Sequence, residues 1–550
     1  MNRRLLLKQI LTTLPTIALA NKITAADNLL NEADVITEKG PFTADWKSLS
    51  AFQTPDWFRN AKFGIWAHWG PQCQAEYGDW YARGMYQEGS AQYNYHLKTY
   101  GHPSKFGFKD VINEWKAEKW DPEELVSFYK SAGARYFMAL ANHHDNFDLY
   151  KSKYQNTWNS TKIGPKKDLV SGWKKAAQHN GLPFGVSVHA AHTWSWMETA
   201  QRADKNGPMA GIPYDGKLTR ADGKGKWWNG LDPQELYAQQ HLLSKNSEDN
   251  GMIHKQWDWK EGVCPPSLTY CEKFYKRTID LINSYEPDMV YFDDTALPLW
   301  PINDAGLRIA AHLYNKSFNK NGKNEAVIFG KILDELQRKC MVWDIERGQS
   351  NNIEPLPWQT DTCIGSWHYD KRVFEGKRYK SAKTVVHTLV DVVSKNGNLL
   401  LSVPVKGNGT IDDQERTIVE EIGAWMAINA EGIYDTRPWM IFGEGPAMEA
   451  AAPLSAQGFN EGKGKKFSAD DIRFTTKNNV VYATVLGWPT NGKLTIKNMA
   501  NNSKYLTKPV SSVQLLGNKS LSFRQTSNGL EINLDVNEPA LSYAFTLKIT

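Results

Sequence analysis

At 550 residues the chain is longer than one ordinary domain, so a large catalytic domain with a smaller companion is the first expectation. Its 65 basic and 60 acidic residues leave a formal net charge of +5, and the lysines and arginines are scattered without a long block, which argues against nucleic acid as a partner. The 22 tryptophans and 23 tyrosines supply many flat ring faces, for core packing or for stacking on the C–H surfaces of sugars.

Residues 1–26 read as an export signal. Asn2-Arg3-Arg4 supplies positive charge, Leu5 to Ala20 is largely apolar, and Ala18-Leu19-Ala20 offers small residues for cleavage; the arginine pair fits either an ordinary or a twin-arginine leader. A periplasmic or secreted protein is expected, with no membrane contact once the signal is gone, because no later stretch is apolar enough to span a bilayer. Strand-like runs follow at Phe63–Trp66, Tyr136–Leu140, Phe184–Val188, Met289–Phe292, Ala326–Phe329, Met341–Trp343, Thr362–Gly365 and Leu399–Val403, with helical patterns between them. Asp121 caps one such helix, with Pro122 at its first position and Glu123 and Glu124 in the first turn; Leu169–His179 and Ala382–Val393 show helix spacing too. Strand alternating with helix about eight times predicts an α/β fold, a (β/α)8-like barrel over residues 45–435. An insertion at residues 203–265, rich in Gly, Lys and Trp, either shapes the pocket or decorates the surface. Over residues 440–550 short alternating runs such as Val480–Val485, Lys493–Ile496, Ser512–Leu516, Leu530–Leu534 and Tyr543–Leu547 predict an antiparallel β-sandwich that buttresses the barrel. Among the five cysteines, Cys264 and Cys271 either form a bridge or stay as thiols.

The chemistry gathers at predicted strand ends. Tyr291-Phe292-Asp293-Asp294 and Asp344-Ile345-Glu346-Arg347-Gly348 deliver carboxylates to the carboxyl face of the barrel, and two converging carboxylates are the minimum for cleaving a glycosidic bond. His68, His143-His144-Asp145, and His189 with His192 fall on the same face, where imidazoles suit sugar hydroxyls. A rival reading makes His143, His144, Asp145, His189, His192 and Asp293 the ligands of zinc in a hydrolytic barrel. Asp294 beside Asp293, and Asp344 and Glu354 beside Glu346, are rival carboxyls for the same chemistry.

The strings Lys62-Phe63-Gly64-Ile65-Trp66-Ala67-His68-Trp69-Gly70, Asp79-Trp80-Tyr81, Asn142-His143-His144-Asp145, Tyr291-Phe292-Asp293, Trp358-Gln359-Thr360-Asp361-Thr362 and Ser394-Lys395-Asn396-Gly397-Asn398 resemble the α-L-fucosidases of glycoside hydrolase family 29, in order. The resemblance implies a barrel followed by a sandwich and hydrolysis of terminal α-L-fucosides with retention, without metal or other cofactor. It implies Asp293 as nucleophile and Glu346 as acid/base, with His68, Asp79, Trp80, His143, His144, His189, Tyr291 and Trp367 around the sugar. Three positions depart from the family pattern: Asp79 replaces its usual Glu, Tyr291 its usual Trp, and Ser187-Val188-His189 its Tyr-Tyr-Ser. These leave L-galactose, or a sulfated sugar met by Lys224 and Lys226, as alternatives to L-fucose. The partner expected is a glycan; a homo-oligomer stays open.

Overall fold

Eight parallel strands close in chain order in the computed structural model, which describes residues 35–249, 257, 259–260, 262–449 and 459–550. The export signal expected over residues 1–26 lies outside the described residues. The strands are β1 (Phe63–Ala67), β2 (Phe137–Asn142), β3 (Phe184–Val188), β4 (Met289–Thr295), β5 (Val327–Lys331), β6 (Val342–Asp344), β7 (Trp358–Cys363) and β8 (Gly397–Ser402). Closure comes from β1 pairing with β8, Phe63 opposite Leu399 through Trp66 opposite Ser402. Strands covered on both faces read as apolar runs, which is why most were visible in the sequence. Gly64 is required by a close approach: a Cβ there would meet the Tyr136 ring at 2.3 Å. That ring spans the barrel floor and donates its hydroxyl to Gln359 at 2.9 Å.

Helices α1 (Pro122–Ser131), α2 (Leu169–His179), α3 (Leu268–Tyr285), α4 (Ala305–Asn321), α5 (Ala382–Ser394) and α6 (Asp413–Asn429) pack outside. Asp121 caps α1, accepting from the amides of Glu123 and Glu124 at 3.0 Å each. The alternation expected from sequence fails around β6. Between β5 and β6 there is one 3₁₀ turn, Gln337–Lys339, and between β6 and β7 a loop. The connection from β5 to β6 is too short for a packed crossover helix, which needs a dozen or more residues, and the longer one from β6 to β7 holds no helix. Strand β7 also starts earlier than the expected Thr362–Gly365, because Gln359, Thr360 and Asp361 belong to it.

The C-terminal strands are β9 (Arg437–Glu444), β10 (Ile472–Lys477), β11 (Val480–Val485), β12 (Lys493–Ile496), β13 (Val513–Leu515), β14 (Phe523–Thr526), β15 (Gly529–Asn533) and β16 (Phe545–Ile549). They form a five-stranded sheet, β13-β16-β11-β10-β9, and a three-stranded sheet, β12-β15-β14, both antiparallel. Trp439, Phe474, Val485, Ile496, Ile532 and Leu547 fill the space between them. Strands β9, β10 and β14 had no clear sequence signal; their alternating faces carry Arg, Lys and Gln. The sandwich docks on the barrel through α5 and α6, where the Trp425 indole donates to the Ala544 carbonyl at 2.8 Å and the Thr546 amide to Asn429 at 3.0 Å.

The described part of the insertion leans mostly on the segment joining β1 to β2. Trp227 donates to Asp110 at 2.7 Å and Trp228 is buried. All five cysteines are free, so Cys264 and Cys271 do not bridge. Cys271 is buried on α3, while the Cys264 thiol turns back on its neighbour's carbonyl. No helix among the described residues is long and apolar enough to cross a membrane.

Candidate active site

A cavity of about 740 Å³ opens at the carboxyl ends of the barrel strands. Strand β4 delivers two carboxylates there, and because side chains alternate along a strand they go opposite ways. Asp293 lines the cavity, whereas Asp294 is buried beside His192, Oδ1 lying 2.9 Å from Nε2 but off the line of the ring N–H. Asp294 therefore has no access to a substrate. From the loop after β6, Glu346 reaches the same cavity.

Lys331, the last residue of β5, joins the two carboxylates. Its ammonium bonds Asp293 Oδ1 at 2.5 Å and also Glu346 Oε2. The two carboxylate oxygens that share this donor therefore lie within about 5 Å of each other. That is the close approach of a retaining pair, whose carboxyl groups stand ~5–5.5 Å apart, and is too close for the ~6.5–9.5 Å of an inverting one. Burial pushes every carboxyl here upward, but Asp293 ends well below the usual range because the Lys331 ammonium and the His144 and His189 rings outweigh it. Glu346 goes the other way: burial, reinforced by the Asp293 and Asp361 charges, prevails over Lys331 and pushes it up to about 7. At neutral pH Asp293 is thus ionised while Glu346 still carries a proton in part of the molecules, the pattern of an acid and nucleophile pair.

The imidazoles form one wall. His144 Nδ1 donates to the His189 carbonyl at 2.7 Å and turns Nε2 to Asp293 Oδ2 at 3.1 Å. His189 Nδ1 stands 3.4 Å from the same oxygen. Gln72 Nε2 lies 2.8 Å from His143 Nδ1 and 3.1 Å from Asp145, while its Oε1 accepts from the Ala82 amide. The amide therefore donates to His143, fixing the tautomer that carries its proton on Nε2. Both ring nitrogens of His68, and Nε2 of His189 and of His368, are buried without a hydrogen-bond partner among the described residues. Burial holds His68 and His143 well below the ordinary histidine value and His189 down to about 4, so these rings are neutral. Neutral rings with unpartnered nitrogens in a cavity are poised for ligand hydroxyls.

The other expected residues are placed as follows. Asp79 lines the cavity and accepts from the His368 amide at 2.6 Å. Trp80 stands parallel to Trp257, ring centres 6.5 Å apart. Trp367 packs 5.6 Å from His68. Tyr291 contributes its ring, 5.0 Å from Trp66, but its hydroxyl is engaged by Asp361 at 2.8 Å and is not free for a sugar. Of the rival acids, Glu354 is bound to Arg338 and Ser350 outside the cavity. Asp344 lies deep, accepting from Gln359 at 2.8 Å, and burial and Asp361 raise it far above the usual range. Lys224 and Lys226 do not line the cavity; Lys226 lies over Trp228 instead.

Sequence reasoning missed Lys331, Trp257, Asp361, His368, Arg347 and Phe459, all of which line the cavity. Lys331 looked like an ordinary residue after an apolar run. Trp257 donates its indole N–H to the Asp293 carbonyl at 2.9 Å and stacks on His192 at 4.0 Å, so one residue of the insertion does shape the pocket.

The family model described as "Alpha-L-fucosidase" matches residues 29–431, and the model for the α-L-fucosidase C-terminal domain matches residues 465–550. The chain belongs to the α-L-fucosidase family. Relatives within it include the tissue α-L-fucosidases of Mus musculus and Homo sapiens, each 26% identical, with alignments covering 92% of this chain and 94% and 92% of theirs. A solved α-fucosidase of Thermotoga maritima, in complex with a mechanism-based inhibitor, superposes with a TM-score of 0.66 at 27% identity over 92% of this chain and 99% of that one. As a member of the α-L-fucosidase family the chain is a glycosidase with a closed barrel and a C-terminal sandwich.

Membership disfavours the zinc reading, and the ligand set imagined for it is divided. Asp145 is turned to Gln72 and the Phe147 amide, and His192 is clasped between Trp257 and Trp259 at 4.0 and 4.5 Å. Two other trios do bring imidazole nitrogens within 4.8 Å of one another: His68, His143 and His368, and His143, His144 and His189. They belong to the imidazole wall of the cavity.

Proposed function

We propose that the protein is an exo-acting, retaining α-L-fucosidase in which Asp293 is the nucleophile and Glu346 the acid/base. The observation that carries this reading is the convergence of Asp293 and Glu346 on one Lys331 ammonium, which brings a carboxyl held well below the usual range and one raised to about 7 within one glycosidic bond's reach. A carboxylate oxygen of Asp293 attacks the anomeric carbon as Glu346 gives its proton to the departing oxygen, leaving a glycosyl ester. Glu346, now ionised, takes a proton from water as that water displaces Asp293. His68, His143, His144 and His189, with Asp79 and His368, hold the ring hydroxyls, and Trp66, Trp80, Trp257, Tyr291 and Trp367 enclose its apolar faces. A pocket closed at the barrel end suits a terminal residue of an oligo- or polysaccharide. Residues 1–26 act as the export signal, 45–435 as the catalytic domain and 440–550 as the sandwich domain of a periplasmic or secreted enzyme.

The test is hydrolysis of 4-nitrophenyl α-L-fucoside beside the matching α-L-galactoside, with the product's anomer followed by NMR. Release of α-L-fucose first is expected, and cleavage of the galactoside alone overturns the sugar assignment. Asp293→Gly should lower kcat by about 10⁴-fold or more and recover with azide as the inverted glycosyl azide; Glu346→Ala should recover with azide as the retained one. The opposite pairing of products would exchange or remove the two roles.

A further inference from the structure

Three residues at the cavity's mouth share an uncommon backbone. Ile332 (φ 53°), Arg347 (φ 45°) and Phe459 (φ 51°) all sit in the left-handed region, and all three line the cavity. For a β-branched residue such as Ile332 that conformation is a true outlier, and strain of this kind gathers at ligand sites. Ile332 and Phe459 are also 50% and 54% exposed, two large apolar side chains facing solvent at one rim.

Phe459 comes from the segment between β9 and β10, far along the chain from the catalytic strands, yet it is fastened to the acid/base itself. Its amide donates to the Glu346 carbonyl at 2.8 Å, and the Glu461 amide donates to the Arg347 carbonyl at 2.8 Å. Asn460 closes the same ladder, accepting from the Gln349 amide at 2.9 Å and donating to its carbonyl at 3.0 Å. Glu461 is anchored in turn by Lys380 at 2.6 Å and by Arg347 at 3.4 Å. A segment held this firmly puts the Phe459 ring at a fixed place beside Glu346.

A general acid delivers its proton to the leaving oxygen, so whatever leaves must lie on the acid's side of the pocket. We infer that Phe459, with Ile332 and Arg347, forms the subsite for the leaving group, and that its occupant is a second sugar ring stacked by its apolar face on Phe459, its hydroxyls meeting Arg347. This rests on the assignment of Glu346 made above. The sandwich domain is then part of substrate recognition and more than a buttress.

The test compares Phe459→Ala, Phe459→Trp and the unchanged enzyme on an α-L-fucosyl disaccharide and on α-L-fucosyl fluoride, whose leaving group has no ring to stack. Phe459→Ala should lower the ratio of kcat/KM for disaccharide over fluoride about tenfold, mainly through KM, and Phe459→Trp should restore it. Thermal unfolding midpoints of all three confirm that they fold. An unchanged ratio, whether both substrates slow equally or neither does, overturns the subsite while leaving the catalytic assignment intact. Failure of the unchanged enzyme on the fluoride sinks that assignment and the subsite with it.

Discussion

Lys331 sets the level at which Asp293 and Glu346 both give up their protons. Its own burial disfavours the ammonium, but Asp293, Glu346, Asp361 and Asp344 together hold its proton on far above the ordinary lysine range. The same charge lowers both carboxyls, so in Lys331→Met both should rise. In the proposed mechanism activity needs Asp293 ionised and Glu346 protonated, which places the alkaline limb of kcat/KM near the value of about 7 given by Glu346. The substitution should move the acid limb and the alkaline limb upward together, by about one unit or more. A profile measured on 4-nitrophenyl α-L-fucoside decides it. Limbs that stay in place would mean that burial and the imidazoles set the two carboxyls without the lysine. A lysine at this position gives no sign in the sequence, since its meaning comes from the pairing of β4 with β5, Thr295 opposite Lys331.

At the scale of the element, strand β4 separates two adjacent aspartates into two occupations. Asp293→Asn should abolish most activity, and Lys331 retains Glu346 as a partner, so the fold suffers little. Asp294→Ala should do the reverse, because it empties a buried site 2.9 Å from His192, which is held between Trp257 and Trp259, at about 1–3 kcal/mol. Thermal unfolding and fucoside turnover on the two variants separate these outcomes; equal loss of turnover in both would contradict the alternation. This division was legible in advance, since an apolar run ending in two acids fixes which faces inward once one is assigned. Seven of the eight strands and the capped helix α1 were legible for the same reason, each having its own local pattern. Strand β7 was misplaced because the polar Gln359, Thr360 and Asp361, of which Asp361 lines the cavity, break the apolar run. Phe459 and Glu461 were invisible because Arg347 and Glu461 stand 114 residues apart and no local pattern links them.

At the scale of the whole molecule, the barrel and the sandwich share one buried ionic knot. Asp391 on α5 is 1% exposed, and it accepts from Lys395 on its own chain segment at 2.7 Å and from Arg473 on β10 at 2.6 Å. Arg473 also lies over the Phe467 ring at 4.9 Å, so the knot sits in apolar surroundings. Burial would raise the Asp391 carboxyl, but the two cations overcome it and hold it below the ordinary value. A depressed carboxyl stabilises the fold at pH above its unfolded value, about 3.9, and that contribution is lost as pH falls through the folded value. Asp391→Ala leaves two buried cations without their shared anion, which should destabilise the protein by about 3–5 kcal/mol. Asp391→Asn keeps the shape and one acceptor, so its loss should be smaller, and its stability should fall less steeply below about pH 4 than that of the unchanged enzyme. Calorimetry distinguishes a local from a global role. If the knot couples the domains, the unchanged protein should melt in a single transition that splits in Asp391→Ala, with the sandwich melting first. Activity should then fall with that first transition, because the segment carrying Phe459 is tied to the sandwich as well as to Glu346. A transition that stays single and unshifted in Asp391→Ala would mean that the apolar contacts of α5 and α6, with the Trp425 and Thr546 bonds, hold the domains together unaided.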